Sequence, residues 1–296
     1  MVSEACRDLL IDAQQFSATF SNGLFNHLPM ALVALDRLGA DDARLRAFAA
    51  SYSAHLRPKS DAEIALARTL RIGEALPRLS SGVASQAFHG LIRLAYAMDS
   101  GVGEEIPDAL SAWMSGYSEL PAAGAAKFET FAEALAEIAK DDRLPRRVDG
   151  RSISRQIANV VALPTFDDYR VADAKLPEIA LLSARIYAAT GDFTALHMVT
   201  GCHAMRVLAP LLGPQALPAF ATAILAAYVT IGRPPLAERI PNDLPADAAL
   251  AARAVPSDDD HDLKMVYSCL REEAEYGTGW HRLGAAVRLG LAKMPA

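Results

Sequence analysis

The chain has 296 residues, of which 52% are hydrophobic and 22% charged, with a formal net charge of −6. That supplies one large core or two modest ones and excludes disorder as a whole. The acidic balance excludes the basic footprint that a nucleic-acid partner requires.

Cys6, Cys202 and Cys269 form neither a disulfide framework nor a CxxC pair. A reducing, cytoplasmic setting is the simplest expectation. The first residues have no basic segment followed by an apolar one, so no signal peptide is expected. The most apolar stretch, 216–232, is interrupted by Pro218, Thr222 and Thr230. It reads as a buried core helix rather than a membrane span, which needs roughly 20 mostly apolar residues.

In chain order, residues 1–20 read as a helix broken at Asn22-Gly23. Asn26 caps a second helix reaching Leu38, with Pro29 tolerated in its first turn and Gly39 ending it. His27 sits in that first turn. A helix follows over 41–54, and His55 behind it reads as a surface residue. Another is expected from Asp61 to Leu76, closed by Pro77.

Residues 83–98 are apolar nearly all round and predict a buried helix. His89, Arg93 and Tyr96 interrupt it at i, i+4 and i+7. This polar stripe is either a structural arginine–carboxylate pair with a hydrogen-bonded histidine, or the wall of a pocket. Helices are expected over 106–118 and 122–140. The polar stretch 141–164 is a loop-like division within one domain, with 157–163 its best strand candidate. Further helices are predicted over 177–190, 193–208, 216–231, 246–254, 258–276 and 280–293. The expected fold is all-α: a single globular multi-helix domain over 1–296, with a buried polar site between helices.

The helix at 193–208 carries His197 and His203 in otherwise apolar sequence. A polar ring there is either a core histidine bonded to a backbone carbonyl or a metal ligand. Six residues place the two roughly 120° apart around a helix, so a straight helix cannot aim both at one ion. In the last motif, Asp258-Asp259-Asp260-His261-Asp262-Leu263-Lys264, the apolar stripe is Leu263, Val266, Tyr267 and Leu270. On that pattern His261 and Lys264 belong to a solvated face. No Gly-x-Gly-x-x-Gly turn, phosphate-binding loop, Gly-x-Ser-x-Gly elbow or HExxH motif is present.

Four motifs in order, Asn26-His27-Leu28-Pro29-Met30, His89-Gly90-Leu91-Ile92-Arg93-Leu94-Ala95-Tyr96, Leu196-His197-Met198-Val199-Thr200 and Asp260-His261 with Lys264, resemble the questin oxidase-like family. The resemblance implies an oxidase acting with O2 on a small phenolic or quinonoid aromatic substrate. It further implies a non-haem iron site held by His27, His89, His197 and His261, with Lys264 carboxylated into an oxygen ligand. His203 is an additional ligand or supporting group. Arg93, Tyr96 and Arg206 are candidate catalytic residues, as substrate contacts or as groups supporting the ligands. Imidazole and carboxylate-like donors suit Fe(II), and other divalent metals fit the same ligand types. A need for NADPH is left open, and a homodimer is the assembly considered. Two other readings compete: a non-catalytic helical scaffold that binds a ligand or partner, and a metal-dependent hydrolase.

Overall fold

The computed structural model describes residues 1–20, 23–120 and 125–293. The expected break at Asn22 and the expected helix start at Ala122 lie outside the described residues. Within them the fold is all-α, with fifteen α-helices and one two-stranded hairpin in a compact domain. No described helix is long and apolar enough to cross a membrane.

The first helix is shorter than predicted. α1 spans Glu4–Ala13, and the chain then forms a hairpin of β1 (Thr19–Phe20) and β2 (Leu24–Phe25), with Thr19 opposite Phe25. α2 (Leu28–Arg37) follows, anchored by Asn26, whose Oδ1 accepts from the Leu28 amide. α3 (Asp42–Ser53) is capped by Asp41. The helix expected from Asp61 to Leu76 is two, α4 (Asp61–Thr69) and α5 (Ile72–Leu79), and Pro77 lies inside the second instead of closing the first.

The predicted helix over 83–98 begins later. Gln86, Ala87 and Phe88 all have positive φ, so the chain turns sharply before α6 (His89–Ser100). Left-handed backbone at non-glycine residues costs roughly 1–2 kcal/mol each, so surrounding packing must hold this turn. Phe88, fully buried, does so with its ring against Phe220, at 5.5 Å between centroids.

α7 (Glu105–Ser115) lies against α6, and α8 spans Phe131–Lys140. The weak strand candidate at 157–163 is helical: α9 runs Ile153–Val161. Its buried residues Ile157, Val160 and Val161 recur at helical spacing, and Ser152 caps it. α9 packs on α12 (Ala216–Thr230), so the 141–164 stretch is docked onto the core. Before α12 come α10 (Leu176–Thr190) and α11 (Phe193–Leu208). After it come α13 (Asp247–Ala254), α14 (Asp260–Tyr276) and α15 (Trp280–Arg288).

Four helices position the site. α2 packs on α6, α6 on α11, α11 on α14, and α14 back on α2. This closed ring of helices has an interior that is apolar except for two polar layers. Met30, Met198, Met205 and Met265 are part of the apolar core.

Candidate metal centre

Each of the four helices brings one histidine to the site from its N-terminal end. His27 is the N-cap residue of α2, His89 the first residue of α6, His261 the second of α14, and His197 the fifth of α11. The rings follow the cyclic order of the helices. Centroids are 4.7 Å apart for His27–His89, 4.9 Å for His89–His197, 5.9 Å for His197–His261 and 4.9 Å for His261–His27. A ligand nitrogen lies about 2 Å from its metal, which puts neighbouring ligand rings ~4.5–6 Å apart. The observed spacings fall in that range.

All four imidazoles have Nδ1 engaged. His197 donates Nδ1–H to the Phe193 carbonyl at 2.8 Å, and His89 donates to the Gln86 carbonyl in the strained turn. His27 Nδ1 lies 2.8 Å from Asp260 Oδ1, and His261 Nδ1 lies 3.0 Å from the same oxygen. A carbonyl or an ionised carboxylate only accepts, so these contacts place the proton on Nδ1 and leave the lone pair on Nε2. The Nε2 atoms of His27, His89 and His261 are buried without a hydrogen-bond partner. An unsatisfied buried polar atom costs about 1–3 kcal/mol, so each of these nitrogens has an unmet need for a partner. Among the described residues, the group whose candidate ligand atoms all lie within 4.8 Å of one another is His27, Asp260 and His261, without His89 or His197.

Burial keeps the His27, His89 and His197 rings available as neutral donors. Burial, with the Lys264 charge adding to it, lowers His27 to about 4. Burial lowers His197 to about 3, partly offset by its bond to the Phe193 carbonyl, and pushes His89 well below the usual range. Asp260 is held far below the ordinary carboxylate range: burial opposes ionisation, but the Lys264 and His27 charges and the histidine hydrogen bonds outweigh it. Converging helix N-termini add a positive potential that favours anions there and disfavours imidazolium.

Lys264 joins this group, against the solvated-face expectation. It is 3% exposed, with Nζ 3.3 Å from Asp260 Oδ1. Burial lowers its pKa, partly offset by Asp260. The apolar stripe mispredicts it because α14 is enclosed by α2, α11, α13 and α15, leaving the N-terminal turns little solvated surface. Sequence reasoning missed Asp260 as a working residue, since an acidic side chain in a first turn reads as a cap. In the structure Asp259 is the cap, accepting from the His261 amide. Asp260 instead brings an oxygen within 4.8 Å of ligand atoms of His27 and His261.

His203 is not part of this ring. It lies in a second polar layer ~9 Å further along α11 at 1.5 Å per residue. Its Nδ1 meets Glu272 Oε1 at 3.0 Å and its Nε2 meets Asp99 Oδ2 at 3.2 Å. Arg206, proposed from sequence as a substrate contact, donates to Glu272 at 2.7 Å. Tyr267 donates to Asp99 at 2.9 Å. Tyr96 lies between the layers, its hydroxyl against Ser268 Oγ at 2.9 Å and the Lys264 carbonyl at 3.1 Å. Arg93 is buried and directed to α7, 2.8 Å from Asp108 and 3.4 Å from Glu105, which is the structural pair among its two readings. Of the remaining histidines, His55 is exposed and His281 is buried beside Tyr276.

The second layer carries a pH signature. Burial works against charging His203, but hydrogen bonds and charge from Asp99 and Glu272 prevail and raise its pKa. Its contribution to stability is therefore fully present below the unfolded value, near 6.5, and is lost as pH rises through the folded value. Asp99 and Glu272 are lowered despite burial, through His203, so their contribution fades as the solution is acidified. Urea unfolding across pH 5–9 should show wild-type stability exceeding that of His203→Gln most at pH 5–6, with the gap closing toward pH 9. A gap independent of pH would contradict the charged His203.

Most of the chain matches a known sequence family. A family model described as Questin oxidase-like matches residues 69–269. The chain belongs to the questin oxidase-like family. The matched region of this questin oxidase-like chain includes His89, His197, His261 and Lys264, and excludes His27, which α2 brings to the ring from outside it. No curated protein matches the chain.

Proposed function

We propose that the protein is an oxidase that uses a divalent metal, Fe(II) first among candidates, and O2 to oxidise a phenolic or quinonoid aromatic compound. Family membership supports the oxidase, and the observation that carries the metal is the set of partnerless buried Nε2 atoms within a closed ring of imidazoles. His27, His89, His197 and His261 would hold the ion, with Lys264, as its carbamate, completing the donor set. Ligand types of this kind suit iron and also accept manganese or zinc.

The chain's own residues do the following. Asp260 and the Gln86 and Phe193 carbonyls fix the tautomers and orientations of the four rings, as outer partners of metal-binding histidines do. Before carboxylation Asp260 also pairs with the Lys264 ammonium. The apolar walls of the helix ring exclude water, and the helix N-termini favour a phenolate over a phenol at the site. A bound Fe(II) would supply the one-electron steps that let ground-state O2 react with a closed-shell ring.

Two reaction forms fit this chemistry. Dehydrogenation of a hydroquinone transfers two electrons and two protons to O2, giving quinone and hydrogen peroxide. Insertion of one oxygen atom beside a ring carbonyl leaves the second atom requiring two electrons and two protons to become water, and there NADPH or an equivalent donor is needed. Oxygen uptake with 1,8-dihydroxyanthraquinone and its hydroquinone, with and without NADPH, distinguishes them. Substrate turnover without oxygen consumption would overturn the oxidase reading and leave a metal-dependent hydrolase.

A further inference from the structure

The histidine ring has aromatic neighbours on two sides, and they differ in exposure. Phe25 stacks on His89 at 4.9 Å and 24° and is 8% exposed, so it closes the inner side. Phe193 meets His197 edge-on at 4.7 Å and lies tilted on His261 at 4.9 Å, yet is 51% exposed. A phenyl ring half in solvent beside two of the four imidazoles forgoes burial that most large apolar side chains obtain.

The position of Phe193 is fixed. It opens α11 directly after Asp192, whose carboxylate accepts from the Thr194 and Ala195 amides. Gly191 ahead of it takes a left-handed turn at φ +59°. The Phe193 carbonyl accepts from His197, so ring and ligand are tied to the same residue. A shallow surface depression lined by Tyr187, Thr190, Gly191 and Arg288 lies just upstream, and neither Phe193 nor the ring histidines line it. Arg288 pairs with Asp259 and Asp262, the residues flanking Asp260-His261.

We propose that Phe193 is a substrate-positioning residue: its exposed ring is the platform on which a flat phenolic or quinonoid substrate stacks at the mouth of the histidine ring. This rests on the aromatic substrate class given under Proposed function. A planar ring gains an offset-stacked or edge contact there, and the same contact sets its distance from His197 and His261.

Titration of wild-type protein, Phe193→Leu and Phe193→Trp with 1,8-dihydroxyanthraquinone, followed by its visible absorbance, tests this. Metal content and Tm are measured on each sample. Phe193→Leu should weaken binding by about tenfold and Phe193→Trp should retain it. Metal content should not change, and KM for O2-dependent turnover should rise more than kcat falls. Equal binding by wild type and Phe193→Leu, or a metal-bearing wild type that does not bind the probe, would overturn the proposal. Loss of metal in Phe193→Leu would also overturn it, by reducing Phe193 to a support for His197. The binding comparison reads Phe193 whether or not metal is present, whereas a wild type without metal counts against the functional reading instead.

Discussion

Replacing His197 by alanine should empty the protein of metal, whereas replacing His203, six residues along the same helix, should leave the metal in place and destabilise the fold. His197 has a neutral imidazole whose hydrogen bond among the described residues is to the Phe193 carbonyl. Losing that bond costs about 1 kcal/mol. Losing a coordinating nitrogen should weaken metal binding by at least about 100-fold, the upper end of what outer partners of a ligand contribute. The Tm of metal-loaded protein should then fall toward that of the metal-free protein, because the ligand no longer stabilises the native state by mass action. His203→Ala instead strands Glu272, fully buried, and Asp99 without their shared cation. Breaking a buried charge pair from one side costs about 3–5 kcal/mol, with Arg206 still attached to Glu272 softening the loss. Elemental analysis and urea unfolding on both variants check this. Metal loss in His203→Ala with retention in His197→Ala would reverse the assignment of the two layers.

Lys264 gives the second large effect. As an ammonium it is a buried cation beside the histidine ring, and it would oppose a divalent ion. Its lowered pKa makes the neutral amine accessible, and that is the form that attacks CO2. Deprotonation of the ammonium releases one proton and formation of the N–C bond a second, so the cation becomes an anion. A carbamate would lie next to Asp260, so the two anions are stable together only with a cation between them. CO2 uptake and metal binding should therefore promote each other, since coupling between two ligands is reciprocal. Metal affinity should fall in CO2-depleted buffer. Lys264→Met should lose at least about tenfold in metal affinity, and Lys264→Glu, which restores an oxygen donor, should recover part of it. With ¹³C-bicarbonate, the metal-loaded wild type should show a carbamate carbon resonance that Lys264→Met lacks. Unchanged metal affinity in Lys264→Met would remove Lys264 from the donor set.

Much of this site was legible in the sequence, though not evenly. Helix geometry separated His197 from His203, and the structure sends one to the ring and the other to Asp99 and Glu272. The two readings of a histidine in an apolar helix prove compatible at His197, where a bond from Nδ1 to a backbone carbonyl leaves Nε2 as the donor. The motif order identified His261 and Lys264 where periodicity pointed to solvent. Periodicity describes one helix against one core, and α14 has neighbours on several sides. Asp260 was hidden by its position, since a first-turn carboxylate needs no partner to make sense. The turn at Gln86-Ala87-Phe88 was hidden by its composition. None of these residues signals positive φ, and the turn is held by the packing of Phe88 on Phe220 and the bond from His89 to the Gln86 carbonyl. The hairpin after α1 is likewise held by a tertiary contact, with the Arg57 guanidinium donating to the Thr19 carbonyl.

The central claim is that one divalent ion is held by the four histidines. X-ray absorption spectroscopy of native protein, purified without added metal, tests it most directly. The expected result is a metal absorption edge, iron first among candidates, at close to one ion per chain. The scattering pattern of several imidazoles is expected with it, lost in His197→Ala. Native protein with no metal edge above background, or a metal signal without imidazole scattering, would contradict it.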